Sequence, residues 1–267
     1  MSTYSYRLKL AYNGVSFEGW QIQADGHRTV QGELNKILGK MAKEEKVSTL
    51  GSGRTDSGVH AVGQVVKVVM ALDIEPNALK KGLNSQLPAM IRVLSAERTD
   101  ENFHPIFSSY WKRYDYVLTD SEILAPSYTG LVTPVSRSID NAQLNKALKL
   151  LIGTFDFERF STKGTPVKST IRTIYDAKAS IEEWEVSPYP CEKMSITRIS
   201  IIGDGFLKQM VRLLVGAAMN VATGKATLSE FRDYLNSSSN EKFGPVFPPD
   251  GLYLVHVEYD SPYATLH

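Results

Sequence analysis

The chain has 267 residues, a length that fits one large domain or two smaller ones. Hydrophobic residues make up 42% of it and charged residues 22%, which is typical of a globular protein. Its net charge of +1 neither supports nor excludes a nucleic-acid partner, which would require cations gathered on one face. No apolar run reaches the ~18 residues of a membrane helix, and the first residues form a strand pattern rather than a signal peptide, so we predict a cytoplasmic protein.

Cysteine and histidine offer little for metal or disulfide chemistry. Cys191 is the only cysteine, which excludes an internal disulfide framework and a cysteine-based zinc site and is typical of a reducing compartment. It lies between Pro190 and Glu192 with no histidine nearby in sequence, which makes it a poor candidate for a nucleophile. The five histidines are scattered, so we predict no metal site.

The N-terminal third reads as alternating strands and helices. Alternation from Tyr4 to Tyr12 predicts a half-buried strand, which ends at the turn residues Asn13-Gly14. Apolar residues at helical spacing from Val30 to Met41 predict a helix with Thr29 as its N-cap. A strand is predicted from Val62 to Met70.

Residues 51–60, Gly-Ser-Gly-Arg-Thr-Asp-Ser-Gly-Val-His, carry the strongest chemical signal. Glycines at this density let a backbone approach a ligand closely, and Asp56 beside Arg54 can be held ionised and aimed outward. The alternative is an ordinary turn with a solvated ion pair worth about 0–1 kcal/mol. A phosphate-binding loop is disfavoured because the G-x-x-x-x-G-K-[ST] pattern is missing and Asp56 would repel a phosphate.

The middle of the chain contains a strand rich in aromatic and basic residues. A helix opens at Pro76, and a strand follows near residues 91–96. Within residues 109–118, alternation puts four side chains on one face: Tyr110, Lys112, Tyr114 and Tyr116. Such a face, if exposed, can stack on and hold nucleic acid. The alternative is ordinary pairing of aromatic residues within a sheet.

The C-terminal half ends in a buried helix and a final strand. A helix is predicted from Asp140, strands near 174–184 and 194–202, and a helix that is apolar nearly all round from 206 to 222. Arg212 on that helix needs a facing carboxylate, unless its side chain reaches the surface. Two further elements follow: a helix opened by a capping box at Thr227 and Glu230, and a strand at 251–259.

The glycine-rich loop resembles the signature loop of the TruA-type tRNA pseudouridine synthases, G-A-G-R-T-D-A-G-V-H-A, with Ser52 and Ser57 in place of the alanines. The chain departs from the family at Pro105 and Ile106, where Ala-Arg is usual, so we assign no RNA role to position 106. Other matching blocks follow the family's order: 12–23, 83–88, 103–116, 206–216 and 251–257.

The resemblance implies an α+β fold. Two α/β subdomains, RRM-like or ferredoxin-like, would form one continuous, mainly antiparallel sheet flanked by helices, with a central RNA-binding cleft. We place the N-terminal subdomain with the catalytic loop at residues 1–107. The C-terminal subdomain that completes the cleft would be residues 108–267.

The resemblance also implies isomerisation of uridine to pseudouridine in the anticodon stem-loop of tRNA (positions 38, 39 and/or 40) by a homodimer without cofactor or metal. Asp56 would be the catalytic nucleophile and Arg212 its counter-ion. Tyr114 would stack on the uracil, and Arg54 would fill the space left by the flipped base. The remaining predicted substrate and RNA contacts are Leu252, His60 and Gln64.

Two alternatives stay open. A non-catalytic tRNA-binding or tRNA-folding protein would not need the intact set of Arg54, Asp56, Tyr114 and Arg212. A glycoside hydrolase needs two carboxylates that flank the scissile bond, and the sequence offers one in a convincing context.

Overall fold

The computed structural model describes residues 2–24, 26–44, 47–122, 124–162, 164, 167–185, 193–237 and 241–263. Cys191 lies outside the described residues. The chain forms two compact units, the first made of Met1–Tyr110 and Tyr253–His267 and the second of Trp111–Leu252. The helices of the described part are all too short or too polar to cross a membrane.

Ten strands and five α-helices lie within these described ranges. The strands are β1 Tyr4–Tyr12, β2 Ser48–Gly51, β3 His60–Met70, β4 Ile91–Arg98, β5 Trp111–Thr119, β6 Thr133–Pro134, β7 Gly153–Asp156, β8 Ile171–Trp184, β9 Met194–Gly203 and β10 Leu252–Glu258. The helices are α1 Val30–Ala42, α2 Pro76–Gln86, α3 Asn141–Lys149, α4 Met210–Ala222 and α5 Leu228–Asn236.

The sheet of the first unit has the strand order β4-β1-β3-β10, with β2 pairing β3. All these pairs are antiparallel except that of β10 with β3. Tyr6, Leu8 and Leu10 on one side of β1 are fully buried, as the alternating pattern predicts. Thr29 caps α1, because its hydroxyl accepts a hydrogen bond from the Gly32 amide.

The sheet of the second unit has the order β5-β9-β8-β7, and these three pairs are antiparallel. The short strand β6 pairs in parallel with β5. Helix α3 packs against β8 and α4, and α4 is buried along nearly all of its surface. The predicted capping box of α5 is present, with reciprocal hydrogen bonds between Thr227 and Glu230. The prediction of an α+β fold with mainly antiparallel strands flanked by helices is confirmed.

The structure corrects one sequence-based expectation and decides between two alternatives that the sequence left open. Helix α4 begins at Met210 rather than at 206, because Gln209 has a φ of 60°, in the left-handed region. Of the two alternatives for β5, the structure has the ordinary packing of aromatic residues within a sheet, since all residues of the strand except Arg113 are buried. The rings of Tyr114 and Tyr116 pack edge-on against Phe206 and Phe247.

Candidate active site

The glycine-rich loop connects β2 to β3. It is tied to the sheet at its start, where the Ser52 amide donates to the Val65 carbonyl at 2.8 Å, and a turn from Asp56 to Val59 leads into β3. The Arg54 side chain is exposed and that of Asp56 is partly exposed. The loop therefore presents both charged side chains from a backbone that is anchored at its two ends.

The segment from Gly14 to Trp20 forms the support beneath this loop. The Trp20 amide donates to the Thr55 carbonyl at 3.1 Å. Gly19 has a φ of 95°, and a Cβ there would lie 2.8 Å from the same carbonyl oxygen. A Cβ at Gly14 would lie 2.2 Å from the Val59 oxygen. Both glycines are therefore required by close backbone contact with the residues that flank Asp56.

Buried polar side chains hold the loop from inside the unit. The Tyr12 and Thr55 hydroxyls are 2.8 Å apart, and burial raises the pKa of the Tyr12 phenol well above its usual range. The Ser52 hydroxyl donates to the Gln64 Oε1 at 2.7 Å, and the Gln64 Nε2 donates to the Gly53 carbonyl at 2.8 Å. Ser52, where the TruA-type motif has alanine, therefore completes the hydrogen bonding of a fully buried glutamine.

His60 is also buried at the start of β3. Its Nδ1 accepts a hydrogen bond from the Gly14 amide at 3.1 Å, and its ring stacks on that of Tyr253 with centroids 4.5 Å apart. This geometry gives His60 and Gln64 a structural role under the loop. The RNA contacts predicted for these two residues stay predictions.

The remaining predicted site residues lie in the second unit. Tyr114 is largely buried in β5, and its ring lies 5.1 Å from that of Phe206. Arg212 on α4 is partly buried, and its Nε donates to the Phe247 carbonyl at 2.6 Å. Leu252 is buried at the end of this unit. The pairing of Arg212 with Asp56 stays a prediction.

Lys112 and Tyr116 lie on the same face of β5 as Tyr114, and the sequence analysis used them only to define that face. Lys112 is buried, and burial lowers its pKa from the usual 10.5 to about 8, with the charge of Arg172 adding to the effect and that of Asp204 opposing it. The Tyr116 hydroxyl donates to the Pro248 carbonyl and lies 2.9 Å from the Thr133 hydroxyl. Tyr116 therefore helps to position the segment that leads to Leu252.

A second carboxylate, the buried Asp115, is bound by neighbouring side chains. It accepts two hydrogen bonds from Arg113, at 2.8 and 2.9 Å, and one from the Ser200 hydroxyl at 2.8 Å. Arg198 lies 3.2 Å away and also binds Glu182, whose pKa it lowers to about 2. Asp115 is thus poorly suited to act as the second carboxylate of a glycosidase. Within the described ranges, no cluster of three histidine, cysteine, aspartate or glutamate side chains could hold a metal.

Comparison with known proteins identifies the family. The family model described as tRNA pseudouridine synthase matches residues 10–108 and 147–260. The chain belongs to the tRNA pseudouridine synthase family. It is therefore an isomerase, as the resemblance of the glycine-rich loop predicted. Six of the seven predicted site residues lie within the matched ranges, and Tyr114 lies between them.

Curated relatives align over almost their full length. The tRNA pseudouridine synthase A of Geobacillus sp. (strain WCH70) is 35% identical over 259 residues, which are 96% of this chain and 100% of the relative. The enzyme of the same name from Lacticaseibacillus casei (strain BL23) is 37% identical over 95% of this chain and 99% of the relative. A chain of a solved Cbf5-Nop10-Gar1 complex aligns over 80% of this chain and 54% of its own length, with 13% identity and a TM-score of only 0.28.

Proposed function

We propose that the protein isomerises uridine to pseudouridine in the anticodon stem-loop of tRNA, at positions 38, 39 and/or 40, with Asp56 as the nucleophile. The observation that carries the proposal is the loop of residues 51–60, which presents Asp56 and Arg54 from a rigidly supported backbone in a chain of this family. Curated relatives that align over the whole chain are tRNA pseudouridine synthases.

The reaction moves one bond and one proton within the nucleotide. The C1′–N1 bond breaks, the uracil turns, and C5 bonds to C1′, while C5 loses a proton and N1 gains one. An ionised Asp56 can attack C1′, attack the base, or take a ribose proton, and each route begins from the same carboxylate. The atoms balance without an oxidant, a reductant or water, so the proposal includes no cofactor.

The other predicted residues have distinct parts in this proposal. Arg212 serves as the counter-ion that keeps the Asp56 carboxylate ionised. Arg54 fills the space left when the uridine flips out of its stack, a step that costs a few kcal/mol. Tyr114 stacks on one side of the uracil and takes part in proton transfer at C5, and Leu252 closes the other side. The exposure of Arg54 supports its role.

The proposal also includes a homodimer that acts on tRNA in the cytoplasm. Light scattering of the purified protein, with and without tRNA, measures the oligomeric state. A mass of two chains is expected, and a single chain in both conditions would contradict the dimer.

Asp56→Asn keeps the shape of the side chain but removes its negative charge, so the rate should fall about a thousandfold or more. The measurement is chemical mapping of pseudouridine in a tRNA with uridine at positions 38–40. Ser57→Ala is the matched control, because the hydrogen bond from the Ser57 hydroxyl to the Phe17 carbonyl is long, at 3.4 Å. It should retain activity within about threefold.

Each part of the proposal has its own contrary outcome. A normal rate for Asp56→Asn would exclude Asp56 as the nucleophile. Pseudouridine at other positions of the tRNA would exclude the anticodon stem-loop as the target. A wild-type protein that binds tRNA but forms no pseudouridine would favour the alternative of a non-catalytic tRNA-binding or tRNA-folding protein.

A further inference from the structure

One aromatic side chain outside the site is conspicuously exposed. Phe107 lies in the turn of residues 104–107, between β4 and β5, and 81% of its surface is exposed. Ile106 beside it is 40% exposed. Covering an exposed aromatic ring is favourable in water, so a partner that stacks on Phe107 would gain free energy from the contact.

The turn that carries Phe107 is closed by several hydrogen bonds. The Nδ1 of His104 accepts hydrogen bonds from the amides of Ile106 at 3.3 Å and Phe107 at 3.2 Å. The Ser108 amide donates to the His104 carbonyl at 2.8 Å. The His104 ring stacks on one face of the Phe107 ring, with centroids 4.3 Å apart and an angle of 26°. The pair therefore forms a preformed flat stack.

Other residues of the first unit also hold the turn in place. The Tyr259 hydroxyl donates to the Pro105 carbonyl at 2.8 Å, and the Phe103 ring packs edge-on against the Tyr259 ring at 5.1 Å. The Arg7 guanidinium lies 5.6 Å from the centroid of each of these two rings. Arg7 on β1 and Tyr259, just after β10, therefore support the turn that carries Phe107, which reduces the entropy lost on binding.

The size of the patch favours a single base over a protein surface. In sequence it is flanked by exposed polar residues, among them Glu101, Asn102 and Ser108, and by Tyr110, which is 45% exposed. A stable protein interface covers about 800 Å² on each partner, whereas one phenylalanine buries only about 150–250 Å². One face of an aromatic ring matches one nucleobase, and stacking of unpaired bases on aromatic side chains is a common mode of RNA recognition.

We propose that Phe107, stacked on His104, binds an unpaired base of the substrate tRNA. This inference rests on the proposed function, because it takes tRNA as the substrate. Pro105 and Ile106 stand where the TruA-type motif usually has Ala-Arg, so here the turn would bind its RNA through the face of a ring rather than through an ionic contact. A stacking contact of this kind serves substrate binding and not the chemical step.

The experiment compares Phe107 variants for tRNA binding and turnover. Phe107→Ala should raise the tRNA Kd and KM by about 5- to 50-fold and leave kcat at saturating tRNA within about twofold. Phe107→Trp should bind as well as the wild type, while Phe107→Leu should behave like Phe107→Ala because it keeps apolar surface but has no ring. Ile181→Ala, at a residue 62% exposed on β8, is the control and should change neither constant.

Further measurements separate stacking from the alternatives. The ratio of the Phe107→Ala and wild-type Kd values should be the same at 50 and 200 mM salt, since a lost phosphate contact would make it vary. Tight tRNA binding by Phe107→Ala, or by Phe107→Leu, would overturn the proposal. A Kd change that only accompanies a change of oligomeric mass would also overturn it, because the turn would then bind a second copy of the chain.

The outcome for the proposed function is read separately, from pseudouridine formation by the wild-type protein. If the wild type forms none, the proposed function fails, while the Kd values of the Phe107 variants still decide whether this turn binds tRNA.

Discussion

At the scale of single residues, the least expected feature is a buried lysine in the middle of a strand. Lys112 lies on the side of β5 that also carries Tyr114, and its pKa is lowered to about 8. Burial disfavours the charged ammonium, and the nearby charge of Arg172 adds to this effect. Below pH 8 the folded protein must therefore bury a positive charge at a cost in stability.

The sign of the resulting pH dependence follows from linkage. The folded-state pKa lies below the usual 10.5, so between about pH 8 and 10.5 the unfolded chain binds more protons than the folded one. The contribution of Lys112 to stability therefore rises with pH in that window. Lys112→Met, which keeps the long stem, should raise the free energy of unfolding at pH 7 by about 1–3 kcal/mol. This gain should shrink towards pH 10.

Urea unfolding at pH 7, 8 and 9 measures this effect. Lys178→Met is the control, because Lys178 is mostly exposed and pairs with Asp176 at 2.9 Å, so its replacement should change stability by less than about 1 kcal/mol at every pH. If Lys112→Met were less stable than the wild type at pH 7, the interactions of the ammonium would contribute more to stability than its burial costs.

Sequence reasoning located these residues better than it described their surroundings. It placed Asp56 and Arg54 in an irregular loop just before a strand, and the structure has them in the loop that leads into β3. It left open whether one face of β5 is exposed, because the residues that cover the Tyr114 and Tyr116 rings, Phe206 and Phe247, come about a hundred residues later. Alternation identifies which side chains share a face, but it does not tell what covers that face.

At the scale of elements, long periodic segments were predicted well and short ones were not. Strand β1 and the start of helix α2 at Pro76 agree with the sequence pattern. Strands β2 and β7 were not predicted, because each has four residues and is defined by the hydrogen bonds to its neighbour rather than by a period of its own.

The contact between the Gly14–Trp20 segment and the glycine-rich loop of residues 51–60 provides a test at this scale. In Gly19→Ala, both the φ of 95° and a Cβ placed 2.8 Å from the Thr55 oxygen oppose the native backbone. We expect the loop to shift and kcat to fall about tenfold or more, since small displacements of catalytic groups are costly. The measurement is the steady-state kinetics of pseudouridine formation, alongside thermal unfolding.

The chain provides a closely matched control for this variant. Gly26 has almost the same φ, 97°, but a Cβ there would meet no atom within 4 Å. Gly26→Ala should therefore show only the cost of backbone strain, about 1–2 kcal/mol of stability, and keep kcat within about twofold. Equal loss of kcat in both variants would mean that the loop does not depend on the contact with Gly19.

At the scale of the whole molecule, the last strand returns to the unit that holds the first residues. Tyr253 and Leu254 of β10 pair in parallel with His60 and Ala61 of β3. The Tyr110 amide donates to the carbonyl of Glu258 at 2.9 Å. The local sequence of β10 does not predict this pairing, because the partner of a strand depends on residues far away in sequence. The division of the chain after residue 107 stays a prediction that an experiment can address.

Gly63→Ala tests which unit depends on this final strand. A Cβ at Gly63 would lie 2.1 Å from the Val255 carbonyl oxygen, and neither backbone can yield without breaking the pairing of β3 with β10. We expect a loss of about 2–4 kcal/mol of stability. Gly205→Ala is the control, because its Cβ would meet its nearest neighbour, the Arg172 Nε, at an ordinary 3.4 Å.

Amide hydrogen exchange shows where the stability is lost. In Gly63→Ala, protection should fall in β10 and β3 and in the 104–107 turn, which Tyr259 holds through the Pro105 carbonyl, while β8 and β9 keep theirs. This outcome would place the C-terminal strand energetically with the first unit. Loss of protection in β8 and β9 with β1 and β4 unchanged would instead support a C-terminal subdomain that runs from residue 108 to the end of the chain.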